Sequence, residues 1–251
     1  MPIGNMARSQ RVEVVLIIAL LMLMSIPYSP VVADEDGACC TSDDFDLFLL
    51  GSADDGTLSP FESKLDEKFE KLVTPSIQGL VEIGTWEITW GLQGDYPDST
   101  WEFRIPYEVE SAAGIQVNAT IGVNIGSTYF EGDAGAGLFL TNEGEVVIPI
   151  EVLAGEVRSG DKIKLTFSVR SLSFSSPGDE AGIRFVWGTD DFRGRISMKL
   201  PLVSIDMKEP SVNGNLVYFP VLLKSGFGDT MWAGSSGGLT VASSSITDSP
   251  I

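Results

Sequence analysis

Two stretches of the chain alternate strictly between apolar and polar residues. From Trp101 to Val109 every second residue is apolar or aromatic, and the residues between them are charged or proline. From Ile115 to Ile125 the same period of two returns, with polar residues or glycine at the intervening positions. Successive side chains of a β-strand point to opposite faces, so each stretch predicts a strand with one buried and one solvated face. Because the segment from Ser111 to Gly114 can turn the chain, the two stretches predict an antiparallel pair.

Most of the chain repeats this pattern between turn-forming segments rich in Gly, Pro, Asp and Ser. Asn213-Gly214 is one such segment and predicts a tight turn before Leu216–Leu223. About nine regularly spaced strands are typical of an all-β fold. We therefore predict an antiparallel two-sheet β-sandwich, jelly-roll-like, with an immunoglobulin-like sandwich as the alternative.

One segment favours a helix instead. Ser59 is a good N-cap, Pro60 suits the first helical position, and a glutamate follows three residues after the cap. Apolar residues then recur at helical spacing up to Thr74-Pro75, where a helix would end. The apolar residues are Phe61, Leu65, Phe69 and Leu72. This predicts one short peripheral helix packed on the sandwich.

The amino end has the pattern of an export signal. Two arginines precede the apolar run Val14–Met24, prolines interrupt it, and small residues lead to a cleavage site between Ala33 and Asp34. The run is shorter than the roughly 20 residues of a membrane-spanning helix, so residues 1–33 predict a signal peptide, with an uncleaved signal anchor as the alternative. We expect an extracellular or cell-surface protein whose only membrane contact would be this segment, if uncleaved.

The net charge and the histidine content reduce the number of possible function classes. The chain of 251 residues has a formal net charge of -19, which disfavours nucleic acid and anionic membranes as partners. It contains no histidine, which excludes Ser-His-Asp and Cys-His nucleophile pairs.

The adjacent cysteines Cys39 and Cys40 lack redox-motif spacing and predict a disulfide or crosslink. They lie in a predicted acidic flexible arm, 34–44, followed by the sandwich, 45–242, and a polar tail, 243–251.

Aromatic residues divide into predicted core and candidate binding residues. Trp86, Trp90, Trp101 and Trp187 alternate with polar neighbours, so we expect them in the core. Loop aromatics could stack on sugar rings, as sites of this kind combine apolar surfaces with a few polar groups. These candidates are Tyr96, Tyr129, Phe130, Phe192, Phe227 and Trp232.

Acidic residues suggest two further kinds of site. Glu87 and Glu102, on outward faces of consecutive predicted strands, are candidate catalytic carboxylates if the strands are neighbours. The adjacent pairs Asp54/Asp55 and Asp190/Asp191 are candidate calcium ligands, although two aspartates supply too few oxygens alone, and no cofactor is otherwise expected.

Asn118-Ala119-Thr120 is a glycosylation sequon on a predicted outward face. Together these features favour an exported, non-enzymatic binding or adhesion module, with glycans or other surface proteins as partners. A structural subunit of a surface assembly and a glycan-active hydrolase are the alternatives.

Overall fold

The computed structural model describes residues 44–74, 79–110, 115–135, 138–140, 142–171, 182–214, 216–218 and 220–228. The predicted signal segment, its cleavage site Ala33/Asp34, Cys39/Cys40, Trp232 and the tail 243–251 lie outside these residues. No helix in the described part is both long and apolar enough to cross a membrane.

Eighteen strands account for most of the described chain. They are β1 Asp44–Gly51, β2 Gly56–Ser59, β3 Asp66–Val73, β4 Val81–Thr89, β5 Gly94–Tyr96, β6 Ser99–Glu110, β7 Ile115–Ile125, β8 Thr128–Asp133, β9 Leu138–Leu140, β10 Glu143–Val152, β11 Gly155–Val157, β12 Lys162–Ser171, β13 Gly182–Thr189, β14 Arg195–Lys199, β15 Val203–Met207, β16 Ser211–Asn213, β17 Leu216–Tyr218 and β18 Val221–Ser225.

One set of strands is built around β6. The order β3-β13-β6-β14-β1-β2 is antiparallel throughout, and β10 pairs with the opposite edge of β6. A second set follows the order β4-β12-β7-β8, with β9 also pairing β7. The two sets are joined by a short parallel contact between β2 and β4, where Gly56 and Thr57 lie opposite Trp86 and Glu87.

Side chains from both sets meet in one core. The ring centroids of Phe103 on β6 and Phe167 on β12 are 5.1 Å apart, and Phe167 lies 5.2 Å from Phe185 on β13. Such aromatic pairs contribute about 0.5–1.5 kcal/mol each beyond the area they bury. The described strands therefore form an all-β, sandwich-like fold, which confirms the fold class predicted from alternation.

The predicted peripheral helix is wrong. A single 3₁₀ turn at Glu62–Lys64 follows Ser59, whose Oγ accepts a hydrogen bond from Phe61 N at 3.2 Å. The chain then continues as β3, which pairs with β13 and packs Phe69 on Trp187. The hydrogen bonds between β3 and β13 and this ring contact stabilise a strand here. The intrinsic helix propensity of the segment is weaker than these tertiary interactions, so the helical spacing of its apolar residues does not produce a helix.

The last four strands form a long β-ribbon, which we call the C-terminal ribbon (residues 203–225). β15 pairs with β18, and β16 pairs with β17. Asn213 lies opposite Leu216, so the chain reverses at Gly214, whose φ is +63°. This confirms the tight turn predicted at Asn213-Gly214, since glycine adopts positive φ without steric cost.

Candidate ligand-binding groove

An open groove of about 560 Å³ lies where β1 meets the base of the C-terminal ribbon. This volume is within the range of about 300–1,000 Å³ common for ligand sites. Its lining combines three carboxylates with aromatic and aliphatic side chains. The lining residues are Asp44, Phe45, Asp46, Phe48, Pro60, Phe61, Glu62, Ser197, Leu202 and Phe227.

The pairing of β1 with β14 places the polar side of the groove. Asp44 lies opposite Lys199, and Asp46 lies opposite Ser197. Because side chains alternate along a strand, Asp44, Asp46 and Phe48 share one face of β1, on which Phe48 is buried at 4% exposure, while Leu47 and Leu49 on the other face are fully buried. The local sequence D-F-D-L-F thus produces an acidic face that also carries an aromatic ring.

Each carboxylate of the groove already has one cationic neighbour. Asp44 Oδ1 lies 3.5 Å from Lys199 Nζ, and Asp46 Oδ2 lies 3.5 Å from Arg195 Nε. Ser197 Oγ donates a hydrogen bond to Asp46 Oδ1. On the opposite wall, Glu62 accepts a hydrogen bond of 2.9 Å from Arg193. None of the three cations lines the groove itself.

The apolar floor of the groove packs against buried aromatic residues. The ring of Phe45 stacks on Trp90 at 5.9 Å and meets the edge of Phe227 at 5.7 Å. Phe227 is only 7% exposed, and its backbone N donates to Ser225 Oγ at 3.1 Å. Trp90 is fully buried, and its indole N–H has no hydrogen-bond partner among the residues that the structure describes. The floor is therefore a packed aromatic cluster.

Beside the groove, an ion-pair network crosses the outward face of β6. Arg104 Nε donates to Glu102 at 2.6 Å, and one terminal nitrogen of Arg104 donates to Glu145 at 2.8 Å. These two hydrogen bonds raise the pKa of Arg104 above its ordinary value. Glu102 is thus engaged in a structural pair on this face.

The candidate carboxylates Glu87 and Glu102 lie on strands that are not adjacent. Glu87 is on β4, where it accepts a hydrogen bond of 2.6 Å from Lys162, while β14, β1 and β2 separate β4 from β6 in the sheet order. Strands consecutive along this part of the chain are not adjacent in space, because the connection crosses between the two sets. The structure does not bring these two carboxylates together.

The candidate aromatic residues differ in exposure. Tyr96 is only 2% exposed and packs near Trp101, so its ring is covered, whereas Phe227, although only 7% exposed, lines the groove. Burial raises the pKa of Tyr96 above its ordinary value. Phe130 is half-buried against the core, and Phe192 is half-buried beneath Lys68 Nζ, which lies 4.6 Å from the ring centroid.

Tyr129 is the exposed exception among the described candidates. Its side chain is 55% exposed on β8, and its hydroxyl donates a hydrogen bond of 2.8 Å to Glu131. This hydrogen bond raises the pKa of Tyr129, with burial as the second cause. The adjacent candidate, Phe130, points to the opposite face of the strand.

The candidate metal ligands do not form a cluster. Asp54 and Asp55 occupy the turn between β1 and β2, and Asp190 pairs with Arg193 at 3.0 Å. Asp191 is exposed in the same loop. No group of three or more potential metal-ligating side chains occurs among the residues that the structure describes.

Asn118 is half-buried between the buried residues Val117 and Ala119. It therefore lies on the outward face of β7, as alternation predicts. Its glycosylation stays a prediction.

Sequence reasoning missed the groove. The predicted flexible arm 34–44 ends at Asp44, although the alternation of acidic and apolar residues begins at Asp44. The signal was present in that alternation. However, the second wall and the ribbon base come from distant parts of the chain.

Comparison with known proteins adds little. No protein-family model matches the chain, and no curated protein sequence matches it significantly. Two crystal structures of a CocE/NonD family hydrolase from Staphylococcus aureus are similar to it. One has a TM-score of 0.44 and 10% identity, covering 63% of this chain and 36% of the hydrolase. The other has a TM-score of 0.43 and 9% identity, covering 62% and 36% respectively.

These structural neighbours are hydrolases, whereas the sequence analysis expected a non-enzymatic binding or adhesion module, and we do not carry that expectation further. The similarity is weak, and the chain spans only about a third of the hydrolase's length. It transfers no activity to this chain.

Proposed function

We propose that the groove beside β1 binds a positively charged ligand that also has an apolar part, such as a peptide segment with Lys or Arg next to Leu. The observation that carries this proposal is the combination of three carboxylates with an aromatic floor in one concave site. Carboxylates accept hydrogen bonds from ammonium and guanidinium groups, and the floor would take the apolar side chain.

The contacts already made by the carboxylates leave room for a ligand. Charge-assisted N–H···O hydrogen bonds are about 2.7–2.9 Å long. The distances of 3.5 Å from Asp44 to Lys199 and from Asp46 to Arg195 are longer than that. Because an ionised carboxylate offers about four acceptor sites, each of these aspartates retains lone pairs for a ligand cation.

Electrostatics over longer distances support the same ligand class. The formal net charge of -19 attracts cations towards the surface and repels anions. This attraction is screened beyond about 8 Å at physiological salt, so it raises the encounter rate more than the affinity. We therefore expect the affinity to depend on the groove residues and the association rate to depend on salt.

A peptide titration tests this proposal. Calorimetry compares a short peptide of alternating Arg and Leu with the same peptide in which Glu replaces Arg. We expect binding of the first peptide only, and Asp44→Asn combined with Glu62→Gln should weaken it about tenfold, because exposed ion pairs contribute about 0.2–1 kcal/mol each. Asp95→Asn is the matched control, since Asp95 is exposed outside the groove.

Two results would count against the proposal. One is equal binding of the two peptides. The other is an equal loss of affinity in Asp95→Asn and in the double variant, which would indicate a diffuse charge effect without a site.

We also propose that the protein is exported, with residues 1–33 removed. The support is the basic, apolar and small-residue pattern of the amino end. The amino-terminal sequence of the protein recovered from outside the cell tests this.

A further inference from the structure

The sequon Asn118-Ala119-Thr120 lies within strand β7, away from the groove. It is the single Asn-x-Ser/Thr tripeptide of the chain in which x is not proline. Sequons that carry glycans are expected in surface loops, so the question is whether this strand leaves the asparagine accessible. Three observations on β7 and its two neighbouring strands indicate that it does.

The first observation is the register of β7, which places the sequon on the outer face. Val117 and Ala119 are 0% and 1% exposed, whereas Asn118 and Thr120 are half-buried. Side chains two residues apart in a strand point to the same face, so the amide of Asn118 and the hydroxyl of Thr120 lie on one side. A glycan on Asn118 therefore points away from the core, and the buried side chains of β7 keep their packing.

The second observation is a break in the neighbouring edge of the sheet. β8 pairs with β7 only from Thr120 onwards, and β9 pairs with it only up to Val117. The connection between these pairs, 134–137, contains four residues, whereas β7 has only two there, so regular pairing is interrupted next to Asn118. Gly135 in this connection has φ +87° and open space where a Cβ atom would lie. A glycan therefore has room on this side of the asparagine.

The third observation is the polar character of the strand on the other side. On β12, Arg170 lies opposite Asn118, and Ser168 lies opposite Thr120. Cross-strand partners point to the same face, and the side chain of Arg170 is exposed. Guanidinium and hydroxyl groups hydrogen-bond to the hydroxyls of a sugar. A glycan at this position therefore meets polar partners and displaces no apolar side chain of β12.

We propose that Asn118 carries an N-linked glycan, transferred during export from a glycan that is bound to a lipid phosphate. A bond forms between Asn118 Nδ2 and the anomeric carbon of the first sugar, and the bond from that carbon to the phosphate oxygen breaks. The lipid phosphate leaves with the bonding electron pair, and the amide nitrogen releases one proton, so the transfer needs no oxidant or reductant. This inference rests on the export proposed above and is independent of the ligand of the groove.

Mass spectrometry of the protein recovered from outside the cells that naturally make it tests the proposal. We expect an intact mass above that of the polypeptide by at least one sugar residue, and fragment spectra that assign the addition to Asn118. Thr120→Ala should abolish the addition because it removes the hydroxyl, whereas Thr120→Ser should retain it, since either residue completes a sequon.

The matched control is Asn124→Gln, which should keep the whole addition. Asn124 is half-buried on the same face of β7, but Gly126 stands two residues later, so it is not part of a sequon. Near-ultraviolet circular dichroism of the two Thr120 variants checks that both keep the packed core.

Extracellular protein with the bare mass of its polypeptide would overturn the glycosylation and leave the export proposal standing. A glycan on another residue, or the same loss in Thr120→Ala and Thr120→Ser, would also overturn it. Protein that stays inside the cell would overturn export and glycosylation together. The peptide titration of the groove has no bearing on these outcomes, because neither Asn118 nor Thr120 lines the groove.

Discussion

Replacing Gly226 with alanine should create a collision at the junction of the C-terminal ribbon and the body. A Cβ atom at this position would lie 2.1 Å from Cζ2 and 2.5 Å from Cη2 of Trp90. Trp90 is fully buried between Phe45 and Phe227, so its ring has no free space to enter. The backbone of Gly226 is also held, since its O accepts from Gly91 N at 2.6 Å and its N donates to Leu202 O at 2.9 Å.

The expected loss of stability follows from this geometry. Overpacking a well-filled core costs about 1–3 kcal/mol. With both the ring and the backbone fixed, we expect the upper half of that range, about 2–3 kcal/mol. A chain of 150–250 residues loses about 2–4 °C in Tm per kcal/mol, so Gly226→Ala should lower the Tm by about 4–12 °C.

A double-mutant cycle separates this collision from other effects. Trp90→Phe removes the outer ring that the new methyl group would strike, and it also removes an indole N–H that has no hydrogen-bond partner in the described part of the chain. Measured by urea unfolding, the double variant should lose at least about 1 kcal/mol less than the sum of the single losses, because contacting residues couple by about 0.5–3 kcal/mol. Strict additivity, or a Gly226→Ala protein as stable as the wild type, would refute the reasoning.

Three further outcomes are expected. Arg104→Gln should reduce the free energy of unfolding by about 1 kcal/mol in urea titrations, and by less in 1 M salt, because its two glutamate partners are partly solvated; a loss independent of salt would contradict this. The phenol of Tyr129 should titrate above pH 10.0 in ultraviolet absorbance, and Glu131→Gln should lower its pKa. Since the folded-state pKa is the raised one, this stabilisation is present below pH 10 and is lost as the pH rises through the folded-state pKa; an ordinary midpoint in the wild type would contradict it. Amino-terminal sequencing of the exported protein should begin at Asp34, and a start at Met1 would indicate an uncleaved anchor.

The alternation of apolar and polar residues predicted the core well, because it depends only on which of the two faces of a strand each side chain points to. Trp86, Trp90, Trp101 and Trp187 are all at most 1% exposed, as their polar neighbours indicate. A strand with one buried face needs no knowledge of its partner to place its side chains inside or outside. The all-β class was therefore accessible from the sequence alone.

Features that depend on distant partners were not accessible. The spacing of Phe61 and Phe69 is compatible with a helix, and only the pairing of β3 with the distant strand β13 shows that the segment is a strand. The sequence around Tyr96 is typical of a loop, and only the structure shows that β11 pairs with β5 and covers this residue. The groove likewise needs β1, the turn after β2 and the ribbon base together.

The pairing of β1 with β14 has a consequence for biosynthesis. Asp44 meets Lys199, so the edge of β1 that β14 covers stays unpaired until a partner 155 residues further along (199 − 44) is made, whereas β2 can pair the other edge at once. At roughly 5–20 residues per second, that delay lasts about 8–31 s on the ribosome, during which this edge of β1 has no partner strand. During synthesis this open edge can therefore pair with strands of other chains, as unpaired sheet edges do.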